Sequence, residues 1–263
     1  MIELNKIYYE SCIATMANMP DGFIDLTVTS PPYDNLRTYK NNIDQTWNEL
    51  VWKPIIKELY RVTKIGGVVA WIVGDATING SETGTSFKQA LWAMECGFNL
   101  HDTMIYEKTT NPFPAHTRYN QLFEYMFVFT KNEQPVSFNP MKELTKTGGE
   151  KRKKDGGYRK PDGSIHQAKY KTRQPTKTKG NIWKYVVGGV TQEHPATFPE
   201  QLANDHIISW SNENDLIYDP FMGSGTTAKM ALINNRRFIG SEISEEYCQI
   251  ANERIQTIQQ KLI

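Results

Sequence analysis

The sequence predicts a doubly wound α/β fold, a mostly parallel sheet carrying one inserted, loop- and hairpin-rich region. Three observations lead there. Short aliphatic runs alternate with stretches whose apolar residues recur at helical spacing. A glycine-rich turn, Asp219-Pro220-Phe221-Met222-Gly223-Ser224-Gly225, stands between a strand and a helix, and the following strand ends at Glu242. Residues 133–182 lose every helical period and fill with Lys, Thr, Gly and Pro. The expected organisation is therefore one sheet domain, residues 1–132 and 183–263, interrupted by residues 133–182.

In chain order, Lys6 onward suggests a short strand and a helix, and Pro20-Asp21-Gly22 is turn chemistry. Ile24-Asp25-Leu26-Thr27-Val28 is a strand running into Thr29-Ser30-Pro31-Pro32-Tyr33. Trp47, Leu50, Val51, Ile55, Leu59 and Val62 mark a helix, with Gly66-Gly67 as its expected C-terminal stop. Val68 to Val73 is a buried strand, Ser86 to Cys96 a helix, and Thr103–Glu107 and Tyr125–Thr130 are strands. After the insertion come a helix through Leu202 and Trp210, a strand at Leu216-Ile217-Tyr218, and a helix through Ala228. A strand at Arg237–Ser241 and a final helix from Glu245 to Leu262 close the chain.

Composition narrows the function. With 39% apolar and 22% charged residues and a mean hydropathy of −0.56, the chain reads as an ordinary water-facing domain. No apolar run approaches the roughly 20 residues that span a bilayer, and the N-terminus lacks a signal-peptide layout, so a cytoplasmic location is expected. Cys12, Cys96 and Cys248 form no CxxC and no metal-ligand pattern with the histidines, so no metal is expected. The net charge of +1 hides an uneven distribution. Residues 140–184 carry 14 Lys+Arg against 4 Asp+Glu, while the rest carries 16 against 25. An acidic body with one basic segment suits contact with a polyanion, and the alternative is a solvated loop kept soluble by its charge.

Two stretches carry chemistry. In Ser30-Pro31-Pro32-Tyr33 the prolines stop the strand and hold a rigid tip, where a hydroxyl, a free carbonyl and an aromatic ring converge. Two acceptors beside a stacking face suit a flat heterocycle bearing an amino group, as in an extruded cytosine or adenine. The second stretch is the glycine turn, with Glu242 placed to hold ribose hydroxyls, an arrangement for an adenosine-type cofactor. Asp219 and Pro220, expected on the rim, favour a cofactor with a cation to hold. No Lys follows the glycines, which disfavours a Walker A loop and phosphoryl transfer. A structural alternative for Glu242 is to cap the last helix.

These motifs, with Gly66-Gly67, Asn111-Pro112, Arg118, Glu124 and His194-Pro195-Ala196-Thr197-Phe198-Pro199, occur in an order that resembles the β-class amino-methylating DNA methyltransferases. In that class the target-amine motif comes first and the cofactor motif follows the target-recognition region. The resemblance implies a class I methyltransferase fold with S-adenosylmethionine as cofactor. Double-stranded DNA would be its partner, with a cognate restriction endonuclease or a homodimer as further partners the family often has. It implies a prokaryotic or phage-encoded origin. It assigns Ser30, Pro31, Pro32 and Tyr33 to the target amine. Asp219, Pro220, Phe221, Gly223, Ser224, Gly225, Thr226 and Glu242 line the cofactor site, with His194 and Phe198 closing the pocket. Arg37, Arg118, Lys151, Arg152, Lys153, Lys154, Arg159, Lys171 and Arg173 are the DNA-contact candidates.

Within that family a serine heading the tip, with His-Pro-Ala-x-Phe-Pro later, is commoner among N4-cytosine enzymes, so the resemblance implies N4 of cytosine, with N6 of adenine by the same mechanism as the alternative. A 5-methylcytosine enzyme is excluded, because no cysteine follows a proline. Two rivals stand beside this reading. One is a methyltransferase for a protein glutamine or an RNA amine, which the motif order opposes. The other is a silent DNA-binding module. One departure leaves it room: Glu10-Ser11 stands where the family usually carries Gly-Asp, an acid that commonly contacts the cofactor's adenine.

Overall fold

The computed structural model describes residues 2–32, 47–109, 118–154, 157–167, 170–186 and 199–262. Its main sheet comprises β1 (Lys6–Tyr9), β2 (Ile24–Thr29), β3 (Thr63–Val73), β4 (Phe98–Lys108), β5 (Phe123–Lys131), β6 (Ile182–Tyr185), β7 (Leu216–Asp219) and β8 (Arg237–Glu242). Their spatial order is β1-β8-β7-β2-β3-β5-β4-β6. Every pairing is parallel except those of β5, which runs against both of its neighbours.

Period-2 alternation splits the strands between two faces. On β3, Val69, Trp71 and Val73 join one apolar cluster with Met16, Trp52, Ile55, Leu59 and Phe127. That cluster is capped by α1 (Cys12–Ala17), α2 (Glu49–Val62) and α3 (Thr85–Glu95). Val68, Ala70 and Ile72, equally buried, belong to the other side of the strand. The remaining helices are α4 (Glu200–Trp210), α5 (Thr226–Ile233) and α6 (Glu245–Leu262), with α5 packed against both others. Strands this uniformly apolar are what a sheet covered on both faces requires.

One expectation is corrected. Gly66-Gly67 does not terminate α2. The helix ends in an extended Thr63, whose hydroxyl donates to the Leu59 carbonyl at 2.6 Å, and β3 begins at once. The glycines lie inside β3, at an irregularity in its register with β2. Gly66 has φ +70°, and a Cβ on Gly67 would stand 2.9 Å from the Lys64 carbonyl oxygen. Here the glycines make a bulge rather than a helix cap.

Topology positions the site. From β2 the chain proceeds through α2 to β3 on one side. From β7 it proceeds through α5 to β8 on the other. Strands β2 and β7 are neighbours, so the sheet reverses its winding between them, and ligands bind at the carboxyl ends of such a switch point.

Residues Pro140–Gly180 form a separate compact unit. It contains three antiparallel pairings, Lys142–Leu144 with Thr176–Thr178, Lys151–Lys153 with Tyr170–Thr172, and Tyr158–Arg159 with Ile165–His166. The registers nest into one interrupted hairpin. Residues 133–139 belong to the sheet unit, where Val136 N–H donates to Gly66 O and Asn139 N–H to Ser209 O. Among the described residues no helix is long and apolar enough to cross a membrane.

Candidate active site

The two motifs leave adjacent parallel strands at the same end. Thr29 is the last residue of β2 and Asp219 the last of β7, 190 positions apart in sequence. The Thr29 hydroxyl donates to Asp219 Oδ1 at 2.6 Å. From the start of α5, the Thr227 hydroxyl lies 2.7 Å from Asp219 Oδ2 and 3.2 Å from the Val28 carbonyl. Phe221 N–H donates to Asp219 Oδ1 at 3.0 Å. One carboxylate therefore ties the strand bearing Ser30 to the turn bearing the glycines.

This corrects the placement of Asp219 and Pro220 on the rim. Both are buried, Asp219 to 1% exposure. Its acceptors bond Thr29, Thr227 and Phe221 inside the protein, so it acts as a strut between the two motifs. Burial lifts its pKa to about 6, and the bonds from Thr29, Thr227 and Phe221 oppose that rise.

The turn beyond it is held at each step. Met222 N–H donates to Ser241 O at 2.9 Å, and Gly223 N–H to Glu242 Oε2 at 2.7 Å. Gly223 and Gly225 have φ of +52° and +83°, the left-handed region that glycine enters without penalty. A Cβ on Gly225 would lie 2.9 Å from the Ala251 Cβ of α6. Helix α5 starts directly after it. Phe221 is half-buried and meets Trp47 and Trp71 edge-on, at 5.4 and 6.1 Å between ring centres.

Glu242 ends β8, next to β7. Its Oε1 accepts from Ser244 N–H at 2.8 Å, ahead of α6, and burial raises its pKa against its backbone hydrogen bonds. Two carboxylate oxygens offer about four lone-pair sites, so acceptor capacity is left beside these backbone bonds for a further donor. The helix itself is capped by the Ser244 hydroxyl, which accepts from Tyr247 N–H at 3.4 Å. Side-chain-free backbone at two glycines, a helix start and a carboxylate on the neighbouring strand together fit an adenosine-type cofactor.

The other site residues fall as follows. Ser30 and Pro32 are half-buried and Pro31 is buried. Ser224 is buried in the turn and Thr226 at the start of α5. Tyr33, Arg37, Asn111, Pro112, His194 and Phe198 lie outside the described residues. Arg118 donates to Thr77 Oγ1 at 2.8 Å and to Gly80 O at 2.6 Å, beside a small hairpin at residues 77–82. Lys151, Arg152, Lys154, Arg159, Lys171 and Arg173 are exposed in the hairpin unit, with Arg152 opposite Lys171 and Lys153 opposite Tyr170. Arg173 bonds Thr147 Oγ1 at 2.5 Å.

Of the unusual pair, Ser11 caps α1 by accepting from Ala14 N–H at 3.3 Å, and Glu10 accepts from Thr15 at 2.9 Å. Tyr9 pairs in register with Glu242, so Glu10-Ser11 follows the strand next to the cofactor turn's acid. Sequence reasoning missed Thr29, Thr227 and Arg254. The first two adjoin the motifs and were open to notice; Arg254 had no local signal. Among the described residues no group of His, Cys, Asp and Glu could hold a metal ion.

A doubly wound sheet with a glycine turn and a strand-end acid at its switch point fits a class I methyltransferase. The N6/N4 methyltransferase family model, described as DNA methylase, matches residues 24–253. The chain belongs to this family and is a DNA amino-methyltransferase using S-adenosylmethionine. It is 52% identical over 250 residues to the orphan methyltransferase M.BamHII of Bacillus amyloliquefaciens, covering 90% of this chain and 91% of that protein. The fold is also that of the cytosine-N4-specific PvuII DNA methyltransferase, with a TM-score of 0.69 at 20% identity over 94% of this chain and 85% of that one. A DNA modification methylase of Thermus thermophilus, solved with S-adenosyl-L-methionine, gives 0.64 at 22% identity over 96% and 95%.

Proposed function

We propose that the chain methylates N4 of cytosine at a specific site in double-stranded DNA, with the target base turned out of the helix. The observation that carries this is the serine heading the Ser30-Pro31-Pro32 tip, on the strand whose last residue, Thr29, is bonded to the Asp219 strut. The Ser30 hydroxyl and the Pro31 carbonyl accept from the exocyclic amine and turn its lone pair out of conjugation with the ring. Tyr33 stacks on the base. S-adenosylmethionine, when bound, supplies a methyl group on a sulfonium. The turn Gly223-Ser224-Gly225 holds it, Glu242 takes the ribose hydroxyls, and His194 and Phe198 close over it. With that cofactor bound, the amine lone pair would take the methyl group as the sulfonium leaves as a thioether, and the amine's proton would pass to solvent. Orientation and electrostatics supply the acceleration, with no covalent enzyme intermediate.

The hairpin Pro140–Gly180 is the target-recognition unit in this reading, its exposed Lys and Arg meeting phosphates. Arg37 and Arg118 are further DNA contacts. The chain works in the cytoplasm. The 52%-identical relative is named an orphan methyltransferase, which favours action without a dedicated endonuclease. A homodimer is the assembly the family suggests, and sedimentation of the pure protein checks it.

The decisive experiment is nucleoside mass spectrometry of DNA treated with the protein and methyl-labelled cofactor. Label in N4-methylcytosine is the expected outcome. Label in N6-methyladenine keeps the fold and mechanism and overturns the base assignment, a choice the N6/N4 family leaves open.

A further inference from the structure

The peptide between Ser224 and Gly225 has a glycine of left-handed φ on its C-terminal side, Gly225, and a second, Gly223, stands one residue before Ser224. Such a peptide turns more easily than one between two side-chain-bearing residues, because glycine imposes almost no rotational barrier of its own. Its N–H is tied, since Gly225 donates to Met222 O at 3.0 Å. Its carbonyl is tied from another direction. Arg254, on α6, donates through Nη1 to Ser224 O at 2.5 Å and to Ser224 Oγ at 2.9 Å.

The same guanidinium is anchored in turn. Its Nη2 donates to Glu200 Oε1 at 2.9 Å, and that oxygen also receives Lys229 Nζ at 2.5 Å. Glu200 is the first residue of α4 and Lys229 belongs to α5. One planar fork on α6 therefore joins the glycine turn to α4, and through Glu200 to Lys229 of α5. Ala251, one turn earlier on α6, is the residue against which Gly225 packs. Helix α6 thus supports the turn twice, by contact at Gly225 and by charge-assisted hydrogen bonds at Ser224.

We infer that Arg254 is a positioning residue for methyl transfer, fixing the Ser224 carbonyl so that the turn is set for the cofactor before it binds. A surface ion pair alone contributes little to stability. Here the side chains of Arg254 and Glu200 are 28% and 45% exposed, so the fork's effect falls on the turn and much less on the fold. A lysine is a poor replacement, since a point charge on a flexible stem cannot span Ser224 and Glu200 together. The inference rests on the turn holding S-adenosylmethionine.

The test is steady-state methylation of DNA by Arg254→Gln and Arg254→Lys, with cofactor titrated and thermal unfolding followed in parallel. Arg254→Gln is expected to raise the KM for S-adenosylmethionine about tenfold, as loss of a charge-assisted hydrogen bond would. Its kcat should stay within about twofold and its Tm within a few degrees. Arg254→Lys should recover part of the loss. An unchanged KM in Arg254→Gln overturns the inference, as does a fall in Tm with KM retained. If Arg254→Gln does not fold, Glu200→Gln decides, with a KM rise of about threefold expected and no rise counting against the inference. Wild-type protein that binds no S-adenosylmethionine would instead strike the cofactor assignment on which all of this stands.

Discussion

The glycine turn and the basic hairpin are built on opposite principles. Residues 219–225 are set by buried contacts at almost every step. The Asp219 carboxylate accepts from Thr29, Thr227 and Phe221, Gly223 is held by Glu242, and Gly225 rests on Ala251. In Pro140–Gly180, by contrast, most described residues are exposed and none is buried, and the three pairings span only two or three residues each. On the proposed reading, chemistry that needs atoms placed within tenths of an ångström falls to an over-determined turn. A surface that meets a long polyanion needs charge and reach more than fixed geometry. Substitutions in the first region should therefore have large, specific effects, and those in the second small and nearly additive ones.

The largest effect belongs to Gly225→Val. The new side chain would carry a positive φ, unfavourable for any β-branched residue, and its Cβ would enter the space of Ala251. Together these cost several kcal/mol in the turn, on the order of 3. S-adenosylmethionine affinity should fall at least about 100-fold, which is about 2.7 kcal/mol, as read by calorimetric titration. If affinity held, the claim that backbone geometry sets this site would be broken.

The second effect is a pH dependence that only the buried region can produce. Asp219 titrates near 6 in the folded protein, above its ordinary 3.8, because it is desolvated. The folded state therefore binds this proton more tightly than the unfolded chain does. Its contribution favours folding below about pH 4, is lost as pH rises through about 6, and is constant above that. Over that window it is on the order of 2–3 kcal/mol, at about 1.4 kcal/mol per pH unit. Asp219→Asn removes the titration. The difference in unfolding free energy between wild type and Asp219→Asn, measured by urea denaturation, should then slope between pH 4 and 6. A difference independent of pH would mean that Asp219 titrates as an ordinary surface acid.

Most of the sheet was legible because its strands are short aliphatic runs with turns between them. The β2 and β7 motifs announce themselves through Pro-Pro and Gly-x-Gly, residue types that fix or free the backbone. Gly66-Gly67 misled for the same reason. A glycine pair after a helix signals either a cap or a bulge, and which one depends on the pairing of β3 with β2, a long-range fact. Asp219 was placed on the rim because local sequence shows its chain neighbours and conceals the Thr29 hydroxyl, 190 positions away. Arg254 was invisible, since an arginine on an amphipathic helix reads as solvent-facing until tertiary contact brings Ser224 within reach. The hairpin was legible as charge and turn signals, and its nested pairing became apparent only from the registers.

The smallest effects are expected in that hairpin, and they sharpen the contrast. Lys151, Arg152 and Lys171 are exposed and sit on facing strands, with Arg152 opposite Lys171. If each meets one phosphate, replacing any of them by alanine removes one counterion-releasing contact. The slope of log K against log salt should then flatten by about 0.9 per residue. Affinity for cognate and non-cognate duplexes should fall alike, because phosphates carry no sequence information. Stability should change by no more than about 0.5 kcal/mol, as befits surface positions. Fluorescence anisotropy on both duplexes across a salt series reads the slope and the selectivity together. A substitution that leaves the slope intact while erasing preference for the cognate site would show that residue touching base edges. Part of this hairpin would then share the geometric exactness of the turn, and the division drawn between the two regions would have to move inside it.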